Sequence, residues 1–414
     1  MGKHKITRAE RRRAEREALK LLQSPRFFNE FLLAIREDGL VGEEQNALVL
    51  LVVVISRVLH RPLNIFVKGR SSAGKNWLVT RILRLMPTSA VAEITSASDK
   101  AWNYSGTDFR HRVVYVQEQN EAAGTMDPIR LLISERKLIR IVTGYENGKR
   151  VTKKYVAHGP VAAISTTTKN RLQIDDETRH ISIWVDESSE QTRRVTKSYT
   201  QRERLSRKEL RTWHMVHRLL ERRVGVKVSF FKWFEEIAKR LFVDDLRVRR
   251  YFPAFVEACR TVCLIRSFQP GRKPSKDGKL VVDFADFAIT ALIFDPVFVE
   301  SLHLNKGAGE ETRRLVGDMA ARKRRAVGAK DIARKLNISI DKAYSKLRYA
   351  EQVGVIRRAN KPEKSNRKLF LPIPRPRFVP DPKKLFRELK DLGETVRFVH
   401  PITGKKIVYR RKCD

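Results

Sequence analysis

Gly69-Arg70-Ser71-Ser72-Ala73-Gly74-Lys75-Asn76 fits the pattern G-x-x-x-x-G-K-[ST] at every position but the last. An apolar run at 63–67 precedes this glycine loop (residues 69–76), and apolar residues at helical spacing follow it. The order predicts a strand, a loop and a helix. Backbone N–H groups of such a loop surround a triphosphate at the helix N-terminus, and the lysine neutralises the outer phosphates. The residues predicted to bind the nucleotide are Gly69, Ser72, Ala73, Gly74, Lys75 and Asn76.

Two positions that usually bind Mg²⁺ beside such a loop carry unusual residues. Asn76 replaces the hydroxyl residue, and the apolar strand predicted over 112–118 ends in Gln117 and Glu118 where an acidic pair is usual. Asn76 offers Mg²⁺ a neutral amide oxygen, and Gln117 removes one carboxylate. The predicted metal ligands are therefore Asn76 and Glu118, and nucleotide binding is expected to be more robust than hydrolysis.

The charge of the chain predicts a polyanionic partner. Its 414 residues contain 86 Lys and Arg against 47 Asp and Glu, a formal net charge of +39 spread along the chain. Such a surface repels itself unless a polyanion is bound, and nucleic acid is the usual one. An anionic membrane is the alternative. The longest apolar run, residues 47–59, is interrupted by Ser56 and Arg57 and predicts a buried helix, so no membrane partner is expected.

The cysteines and the N-terminus indicate the compartment. None of the three cysteines stands at metal-ligand spacing from a histidine, and no apolar signal core follows the basic residues at the start. We therefore expect a reducing, cytoplasmic environment.

Strands and helices alternate around the glycine loop, which predicts a parallel sheet with nucleotide at the carboxyl ends of its strands. Glu118 and the hydroxyl run Ser165-Thr166-Thr167-Thr168 follow two of these strands. Between them, two strands around Asn147-Gly148 predict a hairpin with basic arms and with Lys149 and Arg150 at its turn. A basic hairpin is often only a solvated edge. On a chain this positive, DNA contact is the stronger interpretation.

In this order, the glycine loop, Arg110-His111-Arg112, the strand ending in Glu118, the hairpin, the threonine run and Glu177-Thr178-Arg179 form a familiar series. The series resembles the ATPase region of primase-helicase proteins from phages and mobile elements. It is more distantly similar to AAA+ helicases whose hairpin precedes the sensor strand, as in the superfamily three and minichromosome maintenance groups. The resemblance covers roughly residues 40–305. It implies an α/β P-loop ATPase core, AAA+-like, with a helical lid.

The resemblance also implies roles for individual residues. Lys75 would bind the outer phosphates of ATP, Glu118 would orient water or the metal, and Thr166 or Thr167, with Thr167 preferred, would sense the γ-phosphate. Arg179 would be the arginine finger offered to a neighbouring subunit in a ring, with a hexamer favoured. Lys149 and Arg150 would push on DNA inside that ring.

The C-terminal part carries a second DNA-binding pattern. A short helix at 329–336, a turn capped by Ser339 and a second helix closed by Gly354 predict a helix-turn-helix, and the basic stretch 357–368 predicts the wing of a winged helix. A winged helix used only for protein contacts is the alternative. The residues predicted to face DNA are Lys342, Lys346, Arg348, Arg357 and Arg367.

Five segments follow from these patterns: a basic arm and helical lead-in at 1–60, the ATPase core at 61–200, the lid at 201–310, the winged helix at 311–373 and a Pro-rich linker with a basic tail at 374–414. Two functions fit them. The first is an ATP-dependent DNA helicase or translocase of a phage or mobile element, with priming left to another protein because no primase site is evident. The second is a DNA-binding initiator or regulator whose degenerate ATP site controls assembly with little hydrolysis.

Overall fold

The computed structural model describes residues 7–94, 108–118, 126–146, 149–169, 172–199, 204–223, 228–229, 233–241, 246–302, 307–323, 325–352, 356–359, 368–372, 377–389 and 392–411. The chain forms two compact units. The first comprises residues 1–298 and 379–414, and the second comprises residues 299–378. The finer division into five segments stays a prediction.

The described strands and helices follow in chain order. The strands are β1 (Ile65–Lys68), β2 (Val91–Ile94), β3 (Arg112–Val116), β4 (Lys137–Glu146), β5 (Lys149–His158), β6 (Val161–Thr167), β7 (Ile181–Trp184), β8 (Val228–Ser229), β9 (Leu280–Val281), β10 (Val327–Gly328), β11 (Ile356–Arg358), β12 (Leu369–Pro372), β13 (Thr395–Val399) and β14 (Lys406–Arg410). The α-helices are α1 (Arg8–Gln23), α2 (Phe27–Glu37), α3 (Glu44–Ser56), α4 (Lys75–Arg84), α5 (Met126–Ser134), α6 (Ile174–Glu177), α7 (Ser189–Ser198), α8 (Arg207–Glu221), α9 (Trp233–Lys239), α10 (Val248–Arg266), α11 (Phe284–Ser301), α12 (Gly307–Lys323), α13 (Ala329–Leu336), α14 (Ile340–Gln352) and α15 (Pro382–Glu388).

A five-stranded sheet forms the centre of the first unit. Its strand order is β2-β3-β6-β1-β7, and every neighbouring pair is parallel. The middle strands β1 and β6 are buried along their whole length, as expected for a parallel sheet covered by helices. Because the strands are parallel, β1, β3 and β6 all end at the same edge, where the glycine loop begins. The predicted parallel sheet is therefore confirmed.

Helices that precede the sheet in the chain pack against helices that follow it. The apolar run at 47–59 forms most of α3, which is buried from Ala47 to Ser56, and α10 packs against it. The basic N-terminal helix α1 starts at a capping box of Thr7 and Glu10 and packs on α8. Ion pairs of 2.7 Å for Glu10–Arg211 and 2.9 Å for Glu15–Arg222 flank that contact. The helices of the predicted lid, up to residue 298, thus belong to the same compact unit as the sheet.

The predicted hairpin is a two-stranded antiparallel sheet. Strands β4 and β5 pair in register from Lys137 with His158 to Glu146 with Lys149. The Asn-Gly pair at 147–148, where the sequence predicts the turn, lies outside the described residues. Lys149 and Arg150 are exposed at the first two positions of the ten-residue strand β5, at the opposite end from Ala157, which is buried.

The second unit combines α12, α13 and α14 with the three-stranded antiparallel sheet β10-β12-β11. Asn337 ends α13 in the left-handed conformation with φ 53°, and Ser339 accepts a hydrogen bond from the backbone N–H of Lys342. These two residues produce the sharp turn between α13 and α14. The core of the second unit consists of apolar residues from all three helices and all three strands, among them Val316, Val327, Ile332, Leu347, Ile356 and Phe370.

No helix in the described part of the chain is long and apolar enough to cross a bilayer.

Candidate functional site

The glycine loop leaves β1 through a backbone that requires glycine. Gly69 has φ +154°, and a Cβ atom there would lie 2.5 Å from Cγ2 of Val185 at the end of β7. Gly74 has φ +91° just before α4, and a Cβ there would meet no atom within 4 Å. The first glycine thus permits close packing against the sheet. The second leaves the backbone open at the N-terminus of α4, where a helix binds anions.

Lys75 lies across the glycine loop. Its ammonium donates hydrogen bonds to the carbonyl oxygens of Gly69 at 2.8 Å and Arg70 at 2.7 Å. Burial lowers the pKa of Lys75 from its ordinary value, while the charges of Glu118 and Glu187 oppose that shift. The lysine is therefore placed where its charge faces the interior of the loop, with two carboxylates in electrostatic range.

Polar groups from three elements meet beside Lys75. The Tyr115 hydroxyl of β3 donates to Oδ1 of Asn76 at 3.2 Å, and the backbone N–H of Glu118 donates to Oγ1 of Thr166 at 2.9 Å. Burial raises the pKa of the Tyr115 phenol above its usual value, a shift that Thr166 opposes. Thr167 differs, because its Oγ1 accepts from the backbone N–H of Lys169 at 3.1 Å. Thr166 is thus the threonine that the structure brings to Glu118.

Glu118 stands at the exposed end of this cluster. Its φ of 47° turns the backbone sharply after β3, and its side chain is exposed. One residue earlier, the Gln117 amide donates to Oε1 of Glu93 on β2 at 2.5 Å. Position 117 thus carries a neutral glutamine in place of the usual acid, and this glutamine contacts a carboxylate on the neighbouring strand.

The residues present fit a magnesium ion in the presence of phosphate. Mg²⁺ is usually held by one or two carboxylates together with phosphate oxygens and water, so a protein cage of many ligands is not required. The described part of the chain contains no cluster of three or more His, Cys, Asp or Glu that would form such a cage. The Asn76 amide oxygen and the Glu118 carboxylate are the oxygen donors that would hold the ion here.

A cavity of about 520 Å³ adjoins the outer side of the glycine loop. The cavity is lined by residues 39–41, by the first turn of α4 and by α7. Arg70 of the glycine loop and Glu187, which follows β7, also line it. This shape suits a nucleoside whose phosphates enter the glycine loop. Sequence reasoning missed this cavity because its walls are far apart in the chain. The larger apolar side chains among its lining residues are Leu40, Val41, Trp77, Leu78, Val195 and Tyr199.

The strand, glycine loop and helix at the edge of a parallel sheet characterise one fold. This is a P-loop NTPase fold, and the glycine loop is its P-loop. In agreement, the family profile described as the MTBMA_p00010 P-loop domain matches residues 14–214. No curated protein sequence matches the chain.

Three solved structures are loosely similar. A protein proposed to be an ATPase from Cytophaga hutchinsonii aligns at 12% identity and a TM-score of 0.38, covering 67% of this chain and 87% of that one. A full-length MCM homolog from Methanopyrus kandleri aligns at 13% identity and 0.39, covering 71% and 62%. The Aeropyrum pernix Orc1 protein in complex with DNA aligns at 10% identity and 0.27, covering 85% and 93%. TM-scores this low add nothing to the fold assignment, which rests on the sheet and the profile.

Arg179 lies at the opposite edge of the sheet from the P-loop. It precedes β7, whose first residue Ile181 pairs with Ile65 at the start of β1. Its guanidinium donates to Oγ of Ser134 at 3.1 Å and to the carbonyl oxygen of Asp175 at 2.5 Å. With roughly 3.3 Å per strand residue, Arg179 is on the order of 15 Å from the P-loop of its own chain. It does not join the cluster of Lys75, Asn76 and Glu118.

A buried ion pair holds the segment before β7. Lys68, the last residue of β1, is 1% exposed and contacts Glu177 at 2.6 Å. Glu177 also accepts from the backbone N–H of Leu172 at 3.2 Å. The pair therefore fixes the loop that carries Arg179 relative to the strand that leads into the P-loop. Sequence reasoning missed it because the partners are 109 residues apart.

The residues predicted to bind DNA are divided between the two units. Lys149 and Arg150 are exposed on the hairpin. On the second unit, Lys342 and Arg348 are exposed on α14, Lys346 is half-buried and Arg357 is exposed on β11. Arg367 lies outside the described residues. Lys368 donates to the Tyr344 hydroxyl, which joins β12 to α14.

Proposed function

We propose that this chain binds ATP with Mg²⁺ in the P-loop and hydrolyses it to move along DNA as an AAA+-like helicase or translocase. The observation that carries the proposal is the meeting of Lys75, Glu118 and Thr166 at one edge of the parallel sheet. A cation for the phosphates, a carboxylate for water and a hydroxyl near the reacting group are the parts that ATP hydrolysis requires.

The groups have separate tasks in this mechanism, except that Glu118 serves both the metal ion and the attacking water. Lys75 would turn from the carbonyls of its own loop to the β- and γ-phosphates, and the amides at the N-terminus of α4 would bind the remaining oxygens. Glu118 would accept a hydrogen bond from the attacking water and align it with the γ-phosphorus, while Thr166 holds the backbone of Glu118 in place. Bound Mg²⁺ would neutralise the charge that develops on the β–γ bridging oxygen.

The position of Arg179 favours action between subunits. At the far edge of the sheet it is too distant to contact its own nucleotide, so its guanidinium would stabilise the transition state in a neighbouring copy. Such a shared site requires a ring or filament of subunits, and we favour a hexameric ring. The hairpin with Lys149 and Arg150 would then follow the DNA backbone.

The second unit is proposed to be a winged-helix domain that binds duplex DNA. Its support is the turn between α13 and α14 together with a three-stranded sheet, because α14 would enter the major groove with Lys342, Lys346 and Arg348. Arg357 on β11 would contact phosphates. In this view the chain serves replication of a phage or mobile element, and a separate primase starts the new strand.

A second function is favoured by two features of the metal site. Tyr115 already uses Oδ1 of Asn76 as an acceptor, and Gln117 brings no charge of its own. In this function both features would weaken the binding of metal at its usual positions. A DNA-binding initiator or regulator, in which ATP controls assembly and is turned over slowly, would tolerate them.

ATP turnover by the purified full-length chain, with and without DNA, separates the two functions. We expect DNA to stimulate turnover, and Lys75→Ala to lower it about a hundredfold or more because the outer phosphates lose their counter-charge. Lys20→Ala is a matched control, since Lys20 is exposed on α1 and pairs with Glu17. Turnover at the Lys75→Ala level in the unmodified chain, with ATP still bound, would favour the regulator.

A further inference from the structure

The register of β2 and β3 brings Glu93 to the face of the sheet that carries the nucleotide chemistry. Glu93 pairs with Tyr115 across the two parallel strands, so both side chains point to the same side. Gln117, two residues beyond Tyr115, points to that side as well. The side is identified by the hydrogen bond from Tyr115 to Asn76 in the first turn of α4. Glu93 therefore faces the region beside the P-loop.

Gln117 holds the Glu93 carboxylate rather than repelling it. Its Nε2 donates to Oε1 of Glu93 at 2.5 Å, whereas an aspartate or glutamate at 117 would place two carboxylates in contact. Compared with the usual acidic pair at the end of this strand, β3 lacks one carboxylate and β2 supplies one. The total charge at this end of the sheet is therefore the same. Glu93 is exposed and therefore accessible to a hydrated ion.

Tyr115 joins the two parts of this site. Its backbone pairs with Glu93, and its hydroxyl donates to Oδ1 of Asn76 at 3.2 Å. Glu118 follows the same strand, three residues beyond Tyr115. Two carboxylates and one neutral oxygen at one end of the sheet match the small number of protein ligands that Mg²⁺ takes beside a phosphate.

We propose that Glu93 is the second carboxylate of the magnesium site and that Gln117 is the residue that positions it. This inference rests on the proposed binding of Mg²⁺ and ATP at the P-loop. It explains why Gln117 is compatible with a working site, since the charge usually found at its position comes from the adjacent strand. The competing interpretation is a polar contact at the edge of the sheet without any effect on the ion.

The test is the affinity of the full-length chain for a fluorescent ATP analogue, measured in Mg²⁺ and in excess EDTA. We expect Mg²⁺ to tighten binding by the unmodified chain, and Glu93→Gln to reduce that tightening about tenfold. Affinity in EDTA should be retained, which shows that the variant is folded. Glu135→Gln makes the same chemical change on an exposed residue after α5 and should keep the full effect of Mg²⁺.

A charge-exchange variant completes the test. Gln117→Asp added to Glu93→Gln returns one carboxylate to β3 and should restore the tightening by Mg²⁺. If Glu93→Gln binds as the unmodified chain does in both conditions, the role of Glu93 is wrong while nucleotide binding stands. If the unmodified chain binds no nucleotide in either condition, the proposed function itself fails.

Discussion

Gly69 shows how a single residue joins the P-loop to the sheet. Its φ of +154° and the 2.5 Å approach of a Cβ to Val185 leave no room for a side chain. The residue therefore sets both the path of the loop and its packing on β7.

We expect Gly69→Ala to lower the free energy of unfolding by about 2 kcal/mol, from strain and from contact with Val185. Nucleotide affinity should fall as well, because the loop amides move. Gly271→Ala is the control, since Gly271 has φ +82° with nothing within 4 Å of its Cβ, and it should cost about 1 kcal/mol without changing nucleotide affinity. Urea unfolding measures the first quantity and nucleotide titration the second. Equal effects of the two variants on affinity would contradict the role of Gly69.

His180 makes stability depend on pH. It is buried, stacks on Phe66 with ring centroids 4.0 Å apart and contacts the carbonyl oxygen of Asp176 through Nδ1. Burial lowers the pKa of His180 from 6.5 to about 4. Between these values the unfolded chain binds a proton that the folded chain does not, so stability is lost as pH falls from 6.5 towards 4.

For this single group the loss between about pH 7.5 and about pH 5 should be roughly 2 kcal/mol. His180→Phe removes the titrating ring and should shrink the difference between urea unfolding at the two pH values by that amount. His217, also buried and with its pKa well below 6.5 because of burial, should keep the rest of the acid sensitivity. The same pH difference in the variant and the unmodified chain would show that His180 is not responsible.

At the scale of elements, the hairpin β4–β5 forms a sheet of its own beside the five-stranded sheet. Its strands form ten consecutive pairs, and among the described residues a single bridge joins His158 to Asp108. Ile139 and Ile141 on β4 are 44% and 66% exposed. Two-stranded sheets have little stability of their own, so the base of the hairpin at Leu138 and Ala157, which joins the buried cluster around β3 and β6, must anchor it.

If the hairpin moves DNA, replacing both Lys149 and Arg150 by alanine should abolish unwinding of a forked duplex. Binding of blunt duplex should change little, because α14 is the proposed duplex contact. The control is Lys405→Ala with Lys406→Ala, which removes the same two charges from exposed positions at the turn of the other hairpin, β13–β14. Unwinding that persists without Lys149 and Arg150 would show that the hairpin is not the moving part.

At the scale of the whole molecule, the net charge of +39 is distributed over both units. Phosphate contacts by lysine and arginine release condensed cations from DNA, so affinity depends on the salt concentration. This dependence reports the number of phosphate contacts without requiring their positions.

We expect affinity for a duplex oligonucleotide to fall about a thousandfold or more between about 50 and about 200 mM salt, as for six or more phosphate contacts. Fluorescence anisotropy over a salt series gives the slope. Affinity that does not change with the salt concentration would contradict the electrostatic argument for DNA binding. Tight binding to anionic vesicles in place of DNA would favour a membrane surface as the partner.

Local sequence patterns were sufficient to predict the P-loop NTPase fold. The glycine loop between an apolar strand and an amphipathic helix, the continuous apolar strands and the Asn-Gly pair between basic arms are all signals within short windows of sequence. Their physical basis is local: backbone conformation at glycine, side-chain periodicity and burial of the strand on both faces. For the same reason the sequence predicts that Lys75, Asn76 and Glu118 lie close together, since the glycine loop after β1 and the residues after β3 leave the same end of a parallel sheet.

Only the tertiary structure decided which side chains meet at that edge. Thr166 rather than Thr167 contacts Glu118 because strands alternate their side chains, and which face looks towards α4 depends on packing. The partners of Gln117 and Lys68, 24 and 109 residues away, follow from strand order and register. Strand order is set by the burial of the whole sheet under its helices, a property of the assembled unit that no short stretch of sequence contains.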